Sequence, residues 1–395
     1  MGSFPRSPHQ NPSTPNSNPP IPLNQNPSTP NSSLVHEPPV IRTRLQSLLT
    51  KAATRRIAVI GDAMLDVYLR GDVDRISPEA PVPVVHVRER KDALGGAANV
   101  VQNVAAIGAG IELVSVMGDD TAGLRLLQLI TALGGDTRGL VKTARPTTTK
   151  TRVLARSQQL LRVDEEVVAD CTGAEVEALL AAVDRAVADA DAVILEDYNK
   201  GVLVVPVIER AIARATAKGI PVVVDPKYRN FFAYRGATVF KPNRRELEAA
   251  LGAAVDLDHP DALPGMLEKL GVQHLLLTLS EQGMALVQRT AYSVQPTASL
   301  VVPTASVVVP TAAVAVPPAE VAVHRIPTTA REVYDVVGAG DTVIAYLAAM
   351  LAAGATPLEA AVIANYAAGV EVGKLGAATV SPDEVLDAFD RHREP

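Results

Sequence analysis

The sequence predicts an α/β fold: a parallel sheet in three layers, with helices on both faces and a small β-sheet set beside it as a lid. Three observations predict it. Strand-like and helix-like segments alternate from Arg55 onward, and many strands are unbroken Val, Ile and Leu, as strands buried on both faces must be. Two stretches, 71–90 and 145–165, break the alternation with strands of mixed polarity, which places them outside the main sheet. Asp62, Asp119, Asp197, Asp225 and Asn243 follow strands closely, and ligands in such open sheets sit beyond the C-terminal strand ends. An acid just after a strand serves equally as the cap of the next helix.

The elements follow in order. RRIAVIGD is a short apolar run closed by Gly61-Asp62, a buried strand feeding a turn. VPVVHVRER (82–90) alternates as a half-exposed strand does. ALGGAANVVQNVAAIGA opens on a glycine turn and continues at helical spacing, with Val100, Val104 and Ile107 on one stripe. IELVSVMGDD is a strand and turn, and GLRLLQLITALGG a helix closed by glycine. TKTRVLA and LLRVDEE read as strands. A helix (174–189), the strand AVILEDY, a helix (204–218) and the strands IPVVVDP and ATVFKPN come next. A helix (244–251) and the strand HLLLTLSEQG follow. VGAGD then opens an apolar helix at 340–353, and a last long helix covers 357–373.

Two regions stand outside this pattern. Residues 1–54 begin Pro-, Asn- and Ser-rich, carry QNPSTPNS twice (Gln10–Ser17 and Gln25–Ser32), and are expected to form a disordered arm. Within 287–324 a seven-residue phrase repeats from Pro296, Pro303, Pro310 and Pro317. Its valines favour strand, while its regularly spaced prolines forbid a helix or a long ladder. It reads as a low-complexity insert in a hairpin. The rest, within 55–395, is one large domain.

Composition excludes several classes. There is no run of about 18 apolar residues free of charge and proline, and no secretory h-region. The single cysteine, Cys171, rules out an internal disulfide framework. Net charge is −6 with no long basic run, against nucleic acid as the main partner. No membrane is implied, and the expectation is a cytoplasmic enzyme or binding protein.

The sharpest chemical signal is DVVGAGDT, Asp335–Thr342. Gly338, Ala339 and Gly340 open a helix, whose free N–H groups and dipole form an anion site. Asp341 in that first turn is poorly placed to bind the anion. It is well placed to take a proton from a hydroxyl attacking a phosphoryl group held there. The plain alternative is a helix start with glycines for packing and an acid for the dipole. No GxxxxGK[ST] loop is present, so phosphate handling falls to the helix start, a metal ion and lysines.

This stretch resembles the C-terminal signature of the ribokinase-like (pfkB) sugar kinases, in which the last Asp is the base and Gly-Ala-Gly the anion hole. Leu94–Asn99, LGGAAN, is similar to the family's N-terminal glycine signature, which implies sugar contacts from Gly95, Gly96 and Asn99. Phe240–Glu246, FKPNRRE, resembles its N-x-x-E element. That implies ATP and Mg2+ as cofactors, with Lys241, Asn243 and Glu246 at the phosphates and the latter two reaching the metal through water. Leu277–Gly283 resembles the strand-turn by the nucleotide, implying Thr278, Ser280 and Gly283, and the likeness extends to Asn365. These elements keep family order across 55–286 and 325–395.

The resemblance narrows toward bacterial D-glycero-D-manno-heptose 7-phosphate kinases. It does so through RISPEAPVPV (75–84), TKTRV (149–153), QQLLRVD (158–164) and EDYNKG (196–201). Asp66 matches the family's usual sugar ligand. Asp62 reads equally as a turn former, and Asp197 and Lys200 are implied as substrate contacts. Lys150, Arg152, Arg156 and Arg162 form a basic cluster. Alternate residues share one face of a strand, so Lys150, Arg152 and Arg156 are expected in line as a phosphate cradle. A solvated strand face is the alternative. The implied reaction transfers the ATP γ-phosphate to O1 of the heptose 7-phosphate, giving the 1,7-bisphosphate for lipopolysaccharide core. HxGH is absent, so a kinase-only chain is expected, with a homodimer through the lid strands. Competing readings are a kinase for another sugar or nucleoside, and a non-catalytic sugar-binding protein on a kinase fold.

Overall fold

The alternating pattern folds into two sheets. A computed structural model of the chain describes residues 40–156, 158–259, 263–289 and 321–393. In chain order the first elements are α1 (Arg42–Ala52), β1 (Arg56–Gly61), β2 (Ala63–Ile76), β3 (Pro83–Gly96), α2 (Ala97–Ile107), β4 (Gly110–Gly118), α3 (Thr121–Ala132), β5 (Leu140–Thr143), β6 (Thr149–Ala155) and β7 (Gln158–Glu165). The middle of the chain gives α4 (Ala174–Asp189), β8 (Ala192–Glu196), α5 (Val205–Lys218), β9 (Val222–Asp225), β10 (Val239–Phe240), α6 (Arg244–Leu251), α7 (Leu263–Leu270) and β11 (His274–Thr278). Then come β12 (Met284–Arg289), β13 (Val321–Ile326), α8 (Ala339–Ala352), α9 (Pro357–Glu371) and α10 (Pro382–Arg393).

Among the described residues nine strands form the main sheet in the order β13-β12-β11-β10-β9-β8-β1-β4-β5. It is parallel from β11 to β5, and β12 and β13 extend it antiparallel. Successive strand residues feed opposite layers, as a pleated strand requires. Ile57 and Val59 join the core that holds α2 and α8, while Ala58 and Ile60 join the core that holds α4 and α5. Helix α8 is buried on almost every side, with Val343 to Met350 all inside, so its N-terminus is held rigidly under the strand ends. The second sheet, β3-β2-β6-β7, is the predicted lid. It is longer than the sequence pattern suggested, because β2 leaves the first strand almost directly and β3 runs on to Gly96.

The expected disordered arm does not hold as far as residue 54. Arg42–Ala52 is a helix, with Leu45, Leu48, Leu49 and Ala52 buried on one stripe. Arg44 Nε lies 2.8 Å from Glu359 Oε1, and Arg42 Nε 2.9 Å from Asp390 Oδ1. A stripe this short has little helical stability alone, and packing on the C-terminal helices supplies the rest. Residues 1–39, including both QNPSTPNS words, lie outside the described residues. The 287–324 insert also needs narrower bounds, because β12 runs to Arg289 and β13 starts at Val321. Arg289 and Val321 pair directly, and residues 290–320 lie outside the described residues. Among the described residues no helix is long and apolar enough to cross a membrane.

Candidate active site

The C-terminal ends of β8, β9 and β10, the start of α8 and the underside of the lid enclose a cleft of about 410 Å³. Gly338 caps α8 with φ of 99°, a left-handed backbone that favours glycine. The Ala339 N–H is taken by the Val336 carbonyl at 3.4 Å, so the amides at Gly338 and Gly340 are those that can meet an anion in the cleft. Gly338 and Gly340 line the cleft, and Ala339 begins the helix between them.

Asp341, in the first turn of α8, is 7 % exposed. Its Oδ2 accepts a 2.6 Å hydrogen bond from Asn99 Nδ2, and its Oδ1 accepts a 3.1 Å bond from the Tyr198 hydroxyl. Burial pushes its pKa up to about 6; the Asn99 bond opposes this, and the charge of Asp225 adds to it. A carboxyl poised near 6 is ionised at neutral pH yet basic enough to accept a proton. Asn99, expected at the sugar, therefore holds the acid as well as lining the cleft.

Beside the anion site, Lys241 Nζ lies 2.7 Å from Asp225 Oδ2, with both side chains under 10 % exposed. Lys227 Nζ is 2.7 Å from Glu246 Oε1. Asp225, Lys227 and Tyr198 line the cleft but were not singled out as site residues. Asp225 carried only the weak signal of an acid after a strand, and the other two follow strand ends by two residues. Asn243 and Glu246 form a capping box: Asn243 Oδ1 accepts from the Glu246 N–H and Glu246 Oε2 accepts from the Asn243 N–H, both at 2.9 Å. They face the cleft together with Thr278, and Glu246 keeps one oxygen on Lys227. Among the described residues no three His, Cys, Asp or Glu side chains gather to cage an ion. The donors here suit a hydrated magnesium that takes its other ligands from phosphates.

The lid supplies the opposite wall. Arg152 on β6 stands across from Arg162 on β7, and Lys150 across from Asp164. Arg152 Nη1 lies 2.6 Å from Asp66 Oδ1 on β2, with the guanidinium over the Tyr68 ring at 5.2 Å. Lys150 Nζ reaches Asp164 at 3.3 Å and Glu166 at 3.4 Å, while Arg162 holds Asp164 through Nε and Nη2. The expected line of three positives along one strand fails at Arg156. It lies past the end of β6 with φ of 54°, and a register irregularity after Val153 interrupts the alternation. Cross-strand pairing sets Arg162, already part of the expected basic cluster, opposite Arg152. Gly95 gives Asp66 its room, since a Cβ there would stand 2.7 Å from Asp66 Oδ2. Gly96, with φ of 57°, lines the same wall.

Several sequence candidates stand elsewhere. Asp62 is 1 % exposed, accepts from the N–H groups of Tyr198, Lys200 and Val202, and does not line the cleft; it anchors the loop after β8. Asp197 accepts from the Asn199 N–H and the Tyr234 hydroxyl and does not line the cleft. Lys200 Nζ is tied 2.6 Å from Glu166 Oε1, away from the cleft wall. Ser280 and Gly283 shape a left-handed turn after β11, and Asn365 is buried against the Pro327 carbonyl. None of these three lines the cleft. Asp62, Asp197 and Asn365 each satisfy backbone groups that would otherwise be buried unpaired.

A helix-start anion site, a buried carboxyl and a basic lid around one cleft define a sugar-phosphorylating enzyme. The profile described as "pfkB family carbohydrate kinase" matches residues 54–384, and the chain belongs to that family. It is an ATP-dependent sugar kinase with a ribokinase-like fold. Among solved structures it is similar to phosphofructokinase-2 from Escherichia coli (TM-score 0.64, 16 % identity, covering 86 % of this chain and 100 % of that one). It is also similar to Arabidopsis thaliana ribokinase complexed with ribose and ATP (TM-score 0.60, 18 % identity, 85 % and 99 %). Curated relatives named "Bifunctional protein HldE" include that of Pelobacter propionicus, 43 % identical over 88 % of this chain and 66 % of the relative. That of Shewanella amazonensis is 43 % identical over 86 % and 64 %. The chain thus spans slightly less than two thirds of the length of these relatives.

Proposed function

We propose that the chain transfers the γ-phosphate of ATP to O1 of D-glycero-D-manno-heptose 7-phosphate, giving the 1,7-bisphosphate for ADP-heptose and lipopolysaccharide core synthesis. The observation that carries this reading is the lid: Lys150, Arg152 and Arg162 enter the same cleft as Asp66 and Asp341. Arg152 engages Asp66 through Nη1, which leaves Nε and Nη2 to offer a 7-phosphate a bidentate contact. The likeness to proteins named HldE supports the same substrate. The chain has no HxGH motif, and the kinase step is the activity assigned to it.

Each residue has a task. Asp66 accepts from sugar hydroxyls. Asp341 takes the proton of the attacking hydroxyl. The α8 amides at Gly338 and Gly340, with Lys241, stabilise charge on the transferred phosphoryl group. Thr278 lies where the nucleotide enters. Magnesium, reached through water by Asn243 and Glu246, neutralises phosphate charge when bound. A cytoplasmic homodimer completes the proposal. Leu161 and Val163 on edge strand β7 are 55 % and 44 % exposed, an apolar strip suited to a second copy.

The test is ADP release across a panel of sugar phosphates and free sugars. The reading requires the heptose 7-phosphate to give the highest kcat/KM. One observation favours a second reading, a kinase for another sugar: Asp66, Asp164 and Glu166 offset the three basic groups of the lid. A free sugar turned over as well as the heptose phosphate decides for that reading.

A further inference from the structure

We propose that Tyr198 is the positioning residue of the catalytic carboxyl: its hydroxyl, acting with the Asn99 amide, fixes the plane of Asp341 and keeps it ionised. This rests on the reading of Asp341 as the general base. The geometry is a two-sided clamp. Asn99 reaches Oδ2 from α2, and Tyr198 reaches Oδ1 from the loop after β8. With one donor on each oxygen the carboxylate cannot turn about its own axis without losing a bond. Each oxygen also keeps a lone pair for a sugar hydroxyl.

The loop carrying Tyr198 is unusually constrained. Its N–H groups at 198, 200 and 202 all donate to the buried Asp62. Asp197 ties it to Tyr234, and Asn199 sits in the left-handed region with φ of 54°. Backbone strain held by several buried bonds is the usual mark of a side chain that must point one way. These acids, left without a substrate role, become the supports that aim the phenol.

The chemistry requires a donor there. Asp341 is buried with the charge of Asp225 beside it, which disfavours its ionised form, while the Asn99 amide and the Lys241 ammonium favour it; Glu196 and Glu371, whose own carboxyls burial pushes up, face the same acid. Donation of an O–H favours the ionised form. The phenol itself does not ionise in the working range, because burial and the charges of Asp341, Glu196 and Asp225 hold its pKa well above the usual value. It remains a donor throughout. Lys227 Nζ, 5.6 Å from the ring centroid, holds the face of the ring and adds positive charge nearby.

The experiment is Tyr198→Phe in the full chain, with kcat measured against pH alongside wild type and Asp341→Asn. In Tyr198→Phe the acid limb of the profile should move up by about one pH unit, the equivalent of one lost charge-assisted bond. Near pH 5 kcat should fall about 10-fold and at neutral pH about 2-fold, with the loss recovered at higher pH, and both KM values should stay within about 2-fold. A titration of the Asp341 carboxyl by carbon NMR should show the same upward shift without any turnover. An unmoved acid limb together with an unmoved carboxyl titration overturns the proposal. If Asp341→Asn keeps more than about a tenth of the rate, it is the base assignment that fails.

Discussion

Arg152 Nη1 lies 2.6 Å from Asp66 Oδ1, where β6 runs parallel to β2. The two side chains are 18 % and 13 % exposed. In the proposed function the pair joins an acceptor for sugar hydroxyls to a donor for phosphate, so that one sugar phosphate would bridge them. The guanidinium also packs on Tyr68, which limits its motion before substrate arrives.

Removing this donor should affect the sugar side alone. Arg152→Ala is expected to raise KM for the 7-phosphorylated sugar about 10-fold to 100-fold, the worth of a lost charge-assisted contact, and to leave KM for ATP unchanged. Steady-state kinetics with each substrate varied provide the measurement. An unchanged sugar KM would mean that the basic lid is only a solvated face.

Asp341→Asn should fold normally and lose about 10²-fold to 10⁴-fold in kcat. For wild type the sign with pH follows from the raised pKa: a base must be ionised, so kcat should climb as pH rises through about 6 and level off above it. Nucleotide affinity should barely change, since the anion site is backbone. A flat rate between pH 5 and 7 would exclude Asp341 as the titrating base.

Glu371 sits under the Gly338 turn, fully buried, and among the described residues no side chain pairs its carboxyl; the Ala378 backbone N–H and the charge of Lys374 oppose the shift that burial causes. Burial pushes its pKa up to about 8, with Asp335 and Asp341 adding to the shift. A carboxyl raised on folding contributes stability that is complete below its unfolded pKa and is lost as pH climbs through the folded one. Glu371→Gln should therefore melt near wild type at pH 5 and about 5 °C higher at pH 9. Equal melting curves at pH 9 would show that the carboxyl is solvated or paired.

Replacing residues 290–320 by a short Asn-Gly turn should leave kcat/KM within a few-fold of the intact chain. Arg289 and Val321 are already strand partners, so the hairpin closes across the gap. A shorter loop costs less entropy to close, about 0.6 kcal/mol per halving, so the melting temperature should hold or rise. Loss of activity at an unchanged melting temperature would place the repeats in catalysis.

Legibility differed by element. Helices at 174–189 and 244–251 have the bounds that the sequence pattern predicts, because caps and apolar spacing are local signals. Helix α1 was missed because its four buried residues mean little until α8 and α10 present a surface. In the candidate site, the glycine signatures and Asp341 were readable as words. Asp62 was readable both as a sugar contact and as a turn former, since an acid after a strand looks the same whether it faces a sugar or, as here, three backbone amides.

The sequence by itself determined the layered α/β architecture and the glycine-opened helix start with Asp341 in its first turn. These depend on periodicity and on residues adjacent in the chain. Only the tertiary structure decided which polar groups share the cleft. It set Tyr198 and Asn99 on opposite oxygens of Asp341, Lys241 on Asp225, and Arg162 across from Arg152, while Arg156 falls past the end of β6. The partners of Asp341 lie 143 and 242 residues from it along the chain. Strand pairing and burial, rather than spacing along the chain, determine where a charge finds its partner.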